Sequence, residues 1–200
     1  MKPSDVAYLP ELPAHDPEIE EINAEAFGPG RFTRAAYRIR EGGPHDRALS
    51  FVAQYDGKVI ASVRMTWIAA GEGRALLLGP LAVRPPYKNL GIGKRLVAIA
   101  VDAARLAGCG CVILVGDGPY YGPLGFVRVP PGQMEMPRPV DPMRLLAAEL
   151  VPGSVARMTG LVTHADQAPH IRTDGGSAPL AVPHGAEGKQ QQGKAEESAK

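Results

Sequence analysis

Apolar residues recur at every third or fourth position in three segments of the chain, which predicts three helices. The first predicted helix covers residues 17–27, with a proline at its first position and Asp16 placed to cap its amino end. A second, short helix is predicted at 33–40. The third is long, 91–107, and ends where Gly108 supplies a helix stop signal.

Continuous or alternating apolar runs predict the strands. Residues 50–55 and 58–67 flank an Asp-Gly pair, which is typical of a β-hairpin. Residues 76–83 form a strongly apolar strand, and because proline cannot donate to a strand ladder, Gly79 and Pro80 predict a bulge or a sheet edge within it. The remaining predicted elements are strands at 111–115 and 126–129, one helical turn at 120–124 and a helix at 144–150. This order of elements predicts a mixed α/β sheet packed by helices.

The composition of the chain changes near residue 165. From there Gly, Pro, Gln, Glu and Lys dominate, and no large apolar residue follows Val182. Such a segment buries too little surface to offset its chain entropy, so residues 165–200 are predicted to be a disordered polar tail. The preceding residues, 1–164, are predicted to be one domain and are numerous enough to build a sizeable core.

The charges of the chain nearly cancel. With a formal net charge of +1, the composition gives no case for a nucleic-acid-binding or membrane-surface protein. The sequence contains no apolar core of a signal peptide and no run that could span a bilayer, so we expect a cytoplasmic protein. The cysteines Cys109 and Cys111 lack partners for a zinc set, the histidines show no metal spacing, and no metal is expected.

A glycine-containing loop directly before the long predicted helix could bind an anion. Its glycines allow a tight turn, the helix start adds a positive dipole end, and Lys94 and Arg95 add charge. A Walker A loop would need glycine at Lys88 and Ser or Thr at Arg95, and the dinucleotide fingerprint would need glycine at Leu96, so neither fits. An ordinary strand-to-helix turn stays open as an alternative. The loop consists of Lys88, Asn89, Leu90, Gly91, Ile92 and Gly93.

This loop resembles the acetyl-CoA loop of the GNAT superfamily of N-acetyltransferases, Q/R-x-x-G-x-G/A, with Lys88 where the family usually has Gln or Arg. A second family signature, Tyr-x-x-x-Gly-Phe, matches the six residues that begin at Tyr121, about 30 residues after the loop. The runs at 27–32, 78–83 and 115–121 most resemble the YhbS-like branch. The resemblance covers residues 6–160.

The resemblance implies a single GNAT-type domain with a mixed, mostly antiparallel central sheet, flanked by helices. The sheet would splay between the bulged strand and strand 111–115, and acetyl-CoA would enter the wedge as co-substrate. Its pantetheine amides would pair with the backbone of Leu81 and Val83, where an N–H group could also support the oxyanion. The residues expected to bind the cofactor are Leu81, Ala82, Val83, Lys88, Asn89, Leu90, Gly91, Ile92, Gly93 and Lys94.

The resemblance also suggests the catalytic groups. Tyr121 matches the usual general acid of the family, and a phenol with a pKa of about 10 can donate a proton to a leaving thiolate at neutral pH. Tyr120 is the second candidate, and a packing role for Tyr121 stays open. Asp117 could deprotonate the attacking amine, or it could cap the turn that holds Tyr120.

The resulting functional hypothesis is transfer of an acetyl group from acetyl-CoA to a primary amine of a small molecule or a protein. Two alternatives stay open: a non-catalytic acyl-CoA-binding regulatory module, and a transferase that uses a longer acyl-CoA. The acceptor and the oligomeric state are also open, although an apolar edge strand could pair two copies into a homodimer.

Overall fold

Residues 5–168, which are the residues that this computed structural model describes, fold into the following strands and helices. The strands are β1 Ala7–Pro10, β2 Phe51–Tyr55, β3 Lys58–Gly71, β4 Gly73–Val83, β5 Cys111–Val115, β6 Val127–Arg128, β7 Met134–Glu135, β8 Leu145–Glu149 and β9 Met158–His164. The helices are α1 Asp16–Phe27, α2 Ala35–Arg40, α3 Ile92–Leu106 and α4 Gly118–Tyr121. Short 3₁₀ turns link several of these elements.

The strands form one sheet in the order β1-β2-β3-β4-β5-β8-β6, with β9 paired to β3 and β7 paired to β9. Every pair in that main order is antiparallel except β4–β5, which is parallel. Helix α3 packs on one face of the sheet, whereas α1 and α2 pack on the other. The predicted fold class, a mixed and mostly antiparallel sheet flanked by helices, is confirmed.

The parallel pair β4–β5 is short. Leu76 pairs with Val112 and Leu77 with Ile113, and no later residue of β4 pairs with β5. The two strands therefore separate toward their carboxyl ends, as the predicted splay requires. The backbone edge of the second half of β4 faces a gap instead of a neighbouring strand.

A bulge lies where the separation begins. Two residues of β4, Gly79 and Pro80, stand opposite one residue of β3, Arg64, so the register of the β3–β4 pair shifts there. The predicted bulge is confirmed. Because a bulge bends its strand and leaves backbone groups unpaired, it turns the end of β4 away from β5.

Helix α3 supplies the largest apolar contact with the sheet. Its buried residues recur at helical spacing and pack against β2, β3 and β4, although Leu106, which the pattern placed on this face, is exposed. Burial of each of its larger side chains stabilises the fold by about 1.5–3 kcal/mol. That packing holds the amino end of α3 next to the separating strands. The buried apolar residues of α3 are Ile92, Leu96, Val97, Ala100, Val101 and Ala104.

The predicted helix at 144–150 is wrong, because these residues form strand β8. Leucine and alanine favour helices in isolation, which is the signal that the prediction followed. Residues 145–148 are buried and β8 lies between β5 and β6, so tertiary packing decides the conformation. A strand covered on both faces has the same continuous apolar pattern as a short buried helix.

The predicted cap of the first helix also needs correction. His15 holds the cap position, and Asp16 is the first residue of α1 without a capping role. Its carboxylate accepts hydrogen bonds from Arg47 and Arg64 instead. Strands β1, β7 and β9 were not predicted from the pattern at all.

The predicted tail, 165–200, lies almost entirely outside the described residues. Its first residues form a 3₁₀ turn, Ala165–Gln167. Within residues 5–168, no helix is both long and apolar enough to cross a membrane. The cytoplasmic location and the homodimer stay predictions.

Candidate active site

A cleft of about 1480 Å³ opens where β4 and β5 separate. The end of β4, the loop before α3, helix α4, and residues of α1 and α2 line it. We refer to the part lined by Glu20, Arg40, His45 and Arg64 as the α2 side of the cleft. Within residues 5–168, no group of three or more His, Cys, Asp or Glu residues could hold a metal ion.

The edge of β4 presents free backbone groups to the cleft. The N–H of Arg84 donates to the carbonyl of Ile60 in β3, with an N···O distance of 2.8 Å. Because successive residues of a strand direct their backbone groups to opposite sides, Ala82 also bonds toward β3, whereas Leu81 and Val83 face the gap beside β5. An extended chain could therefore add to the sheet at these two residues.

The loop before α3 forms the second backbone feature of the cleft. Asn89 and Gly91 have φ angles of 63° and 80°, in the left-handed region that favours glycine and, next, asparagine. Helix α3 begins at Ile92, and its first internal hydrogen bond runs from the Arg95 N–H to the Gly91 carbonyl. The N–H groups of the first helical turn therefore have no partner within the helix and can bind an anion.

The hydroxyl of Tyr120 lies against the start of α3. A Cβ atom added at Gly93 would stand 2.6 Å from that hydroxyl oxygen, so the glycine permits the close approach. The Lys94 ammonium lies 5.7 Å from the centroid of the Tyr120 ring. Burial raises the pKa of Tyr120, so its hydroxyl is a hydrogen-bond donor beside the loop at neutral pH.

Tyr121 occupies a different part of the cleft. Its ring packs against Gly116, where a side chain would collide with it, and makes an edge contact with Phe126 at a centroid distance of 5.8 Å. Burial, and then the neighbouring Tyr120 and Asp117, raise the pKa of Tyr121 to about 12. The described part of the chain offers no hydrogen-bond partner to its hydroxyl, which is therefore available as a proton donor to a ligand.

Asp117 is held less firmly. Its carboxylate is 73% exposed and lies 3.4 Å from the Arg144 guanidinium. It occupies the cap position of α4, but its side chain makes no capping hydrogen bond, and its backbone carbonyl accepts the N–H groups of Tyr120 and Tyr121. The predicted side-chain cap is therefore wrong, and the Asp117 carboxylate lines the cleft as the partner of Arg144.

A histidine–glutamate pair that the sequence did not reveal lies at the α2 side of the cleft. His45 Nε2 lies 2.8 Å from Glu11 Oε1, and the Glu11 side chain is fully buried. Burial opposes ionisation of Glu11, but hydrogen bonds from His45 and Arg64 and the Arg64 charge outweigh it, so the pKa of Glu11 is lowered. An ionised carboxylate only accepts, so Nε2 donates and Nδ1 is left to accept a proton.

Arg40 is the second residue at this side that the sequence did not single out. Its Nη1 donates to the Gly79 carbonyl at the bulge, with an N···O distance of 3.1 Å. The guanidinium also lies 5.8 Å from the centroid of the Tyr37 ring. Burial, followed by the charge of Arg64, lowers the pKa of Arg40 to about 10.

Comparison with known proteins identifies the family. Residues 17–120 match the model of the family described as the acetyltransferase (GNAT) family, which covers more than half of the chain. The chain belongs to the GNAT family. The predicted resemblance is confirmed.

An Escherichia coli (strain K12) relative of this GNAT protein is the uncharacterized N-acetyltransferase YjhQ, 34% identical over 113 residues. The alignment covers 54% of the chain and 62% of YjhQ, so it spans less than two thirds of that relative's length. The identity therefore supports the family and leaves the acceptor undefined.

Two solved GNAT structures share the fold. One is Escherichia coli YhbS in complex with CoA, with a TM-score of 0.68, 22% identity, and coverage of 82% of this chain and 92% of that chain. The other is a GNAT family acetyltransferase from Brucella melitensis in complex with acetyl-CoA, with a TM-score of 0.51, 25% identity and coverage of 72% and 96%.

The cleft brings together nearly all residues that the sequence proposed for this GNAT site. The three predicted catalytic residues, Tyr121, Tyr120 and Asp117, line the cleft. The predicted cofactor-binding residues of β4 and of the loop also line it. Leu90 is the exception, because its side chain does not line the cleft and is 48% exposed.

Proposed function

We propose that this GNAT protein transfers an acetyl group from acetyl-CoA to a primary amine of a small molecule or a protein. The observation that carries the proposal is the open β4 edge at Leu81 and Val83, which shares one cleft with the anion-binding start of α3. The pantetheine amides would pair with that edge as an added strand. The pyrophosphate would lie on the N–H groups that follow Gly91. The CoA complex of YhbS and the acetyl-CoA complex of the Brucella protein support this assignment.

The proposed reaction is a direct attack on the thioester. The amine nitrogen forms a bond to the carbonyl carbon, and a backbone N–H of β4 at Leu81 or Val83 stabilises the oxyanion. The carbon–sulfur bond then breaks, and the leaving thiolate takes the proton of the Tyr121 hydroxyl. The raised pKa of Tyr121 keeps that proton in place until the thiolate develops.

The attacking amine must lose a proton when the amide forms, and we propose His45 as the base that takes it. The buried Glu11 carboxylate accepts the hydrogen bond from Nε2 and so fixes the orientation of the imidazole ring. Asp117 is the alternative, but its exposed carboxylate is paired with Arg144 and has no residue that orients it toward an amine. A water molecule could relay the proton from the amine to either group.

The His45→Gln variant should lose about 100-fold in kcat/KM for the amine, while its affinity for acetyl-CoA stays unchanged. Added imidazole should restore part of the rate, because it replaces the missing base. The matched variant is Asp117→Asn, for which we expect less than a threefold change. Initial rates at several pH values decide between them, and a large loss in Asp117→Asn alone would assign the base to Asp117.

The Gly91→Val variant should bind CoA at least about tenfold more weakly, because valine disfavours the left-handed backbone of the loop. Gly57→Val is the matched control: Gly57 has a φ angle of 70°, open space at its Cβ position, and a place in the β2–β3 hairpin outside the cleft lining. Both changes should destabilise the fold on the order of 1–2 kcal/mol. Calorimetric titration with CoA should separate them, and equal affinities would refute the loop assignment.

A mass-shift screen tests the proposed function itself. The full chain is incubated with acetyl-CoA and a broad panel of amines and peptides, and products heavier by one acetyl group are sought. Acetylated products support the transferase. Consumption of a longer acyl-CoA in place of acetyl-CoA would show that the longer acyl-CoA is the donor. Tight CoA binding without any product would favour a regulatory acyl-CoA-binding module.

A further inference from the structure

Arg40 lines the cleft as a largely buried cation. It ends α2 and contacts the Gly79 carbonyl and the Tyr37 ring. Within residues 5–168, no carboxylate forms an ion pair with it. The lowered pKa of Arg40 has burial as its main cause, which agrees with a charge that the surrounding protein does not neutralise.

The carboxylates that line the cleft are engaged elsewhere. Each of them has a partner of its own, and none is left for Arg40. These pairs are Glu20 with Arg64, Glu41 with Arg38, Asp117 with Arg144, and Asp141 with the backbone N–H of Met143. Glu20 lies close enough to stabilise the Arg40 charge slightly, but its hydrogen bond goes to Arg64.

The remaining donors of Arg40 are accessible from outside the protein. One N–H group of the guanidinium donates to the Gly79 carbonyl. Its other nitrogens are not fully buried among the described residues. They therefore have access to a ligand in the cleft that Arg40 lines. A guanidinium presents paired N–H groups that match the two oxygens of a carboxylate, and the low-dielectric surroundings strengthen that pairing.

The phosphates of CoA are too distant to be this partner. The proposed pyrophosphate site follows Gly91, beyond the far end of β4 and the turn Pro85–Tyr87. Gly79 and Val83 are separated by roughly 13 Å of strand, at about 3.3 Å per residue. The Arg40 side chain lies at the Gly79 end, where the thioester and the incoming amine would meet.

We propose that Arg40 binds a carboxylate of the acceptor, so that the acceptor is an amino acid or another amine that carries a carboxylate near its amino group. The inference rests on the proposed transferase function. Binding of the carboxylate at the bulge places the amine between His45 and the thioester. Arg40 is then a specificity residue, and it takes no part in the proton transfers.

The test compares amino acids with their carboxamides as acceptors of acetyl-CoA. The panel contains L-alanine, β-alanine and 4-aminobutyrate, each beside the neutral amide of the same size. We expect the protein to favour at least one acid over its amide by more than tenfold in kcat/KM. Arg40→Gln should lower the value for that acid at least about 30-fold and leave the amide within twofold.

Arg38→Gln is the matched control, because Arg38 lies on the same helix with an exposed side chain that pairs with Glu41. It should preserve the preference for the acid, and Arg40→Lys should preserve part of it. Circular dichroism and thermal unfolding establish that each variant is folded. Equal rates for acids and amides in the unmodified protein, or an unchanged preference in Arg40→Gln, would overturn the inference.

A binding measurement separates this inference from the proposed function. The arginine Nε–H signals of the CoA-loaded protein are followed by NMR during titration with sodium propionate and, separately, propionamide. The Arg40 signal is the one that disappears in Arg40→Lys. A saturable shift of this signal with propionate, and no shift with propionamide, supports the carboxylate subsite even if no amine is acetylated. Absence of that shift refutes the subsite even if the mass-shift screen identifies acetylated products.

Discussion

The Tyr121→Phe variant is expected to turn over at least about 100-fold more slowly than the unmodified protein and to bind acetyl-CoA with unchanged affinity. The phenylalanine ring can keep the contacts with Gly116 and Phe126, so the cleft should hold its shape. Only the proton for the leaving thiolate is lost. Steady-state rates and calorimetric titration, measured on the same preparation, separate the two effects.

Tyr120→Phe is the natural control for this experiment, because the two rings are adjacent and their centroids lie 4.8 Å apart. Its hydroxyl lies at the start of α3, so its loss should weaken acetyl-CoA binding slightly and change kcat less than tenfold. A large loss of kcat in Tyr120→Phe, with a normal kcat in Tyr121→Phe, would exchange the roles of the two tyrosines.

The Glu11→Gln variant is expected to lose about 3–5 kcal/mol of unfolding free energy. The Glu11 side chain is fully buried and accepts hydrogen bonds from His45, Arg47 and Arg64. Glutamine removes the negative charge and leaves Arg47 and Arg64, the second only 12% exposed, with Asp16 as the carboxylate they still share among the described residues. Urea unfolding followed by circular dichroism measures the loss.

Glu21→Gln is the control for the network, because Glu21 pairs with Arg84 on the surface and its side chain is 66% exposed. Exposed ion pairs contribute about 0–1 kcal/mol, so a small change is expected there. A loss in Glu11→Gln as small as that of the control would mean that the buried charges are stabilised by other contacts.

The same network makes the fold sensitive to acid. The folded pKa values of Glu11 and Asp16 are lowered, so their contribution to stability is complete above their ordinary values of 4.5 and 3.8. It is lost as the pH falls below those values and the folded carboxylates take up protons. Urea midpoints between pH 7 and pH 3 should therefore fall more steeply in the unmodified protein than in Glu11→Gln.

The signals behind the proposed cofactor half of the site are local. Glycines at 91 and 93, the start of a strongly periodic helix and the Tyr121 motif are each visible within a few residues. The bulge was also visible, because proline restricts strand pairing wherever it stands. These features predict a coenzyme A site without knowledge of any distant contact.

The opposite side of the cleft could not be predicted in this way. Glu11 and His45 are 34 residues apart, and neither belongs to a recognisable motif. Their contact depends on how the segment before Asp46 folds onto β3, where the Asp46 N–H bonds to the Met65 carbonyl. Arg40 likewise gains its importance only from burial beside Gly79. Strand β8 was mistaken for a helix for a related reason, since its neighbours decide its conformation.

The gap beside the second half of β4 has a thermodynamic consequence. The Leu81 and Val83 backbone groups face no neighbouring strand, so the sheet is one strand short of completion at its centre. A molecule that supplies the missing strand adds its binding free energy to the stability of the fold, about 2.7 kcal/mol at a ligand concentration 100 times Kd. The resistance of this protein to heat and proteolysis would then follow the cellular concentration of its own acyl donor.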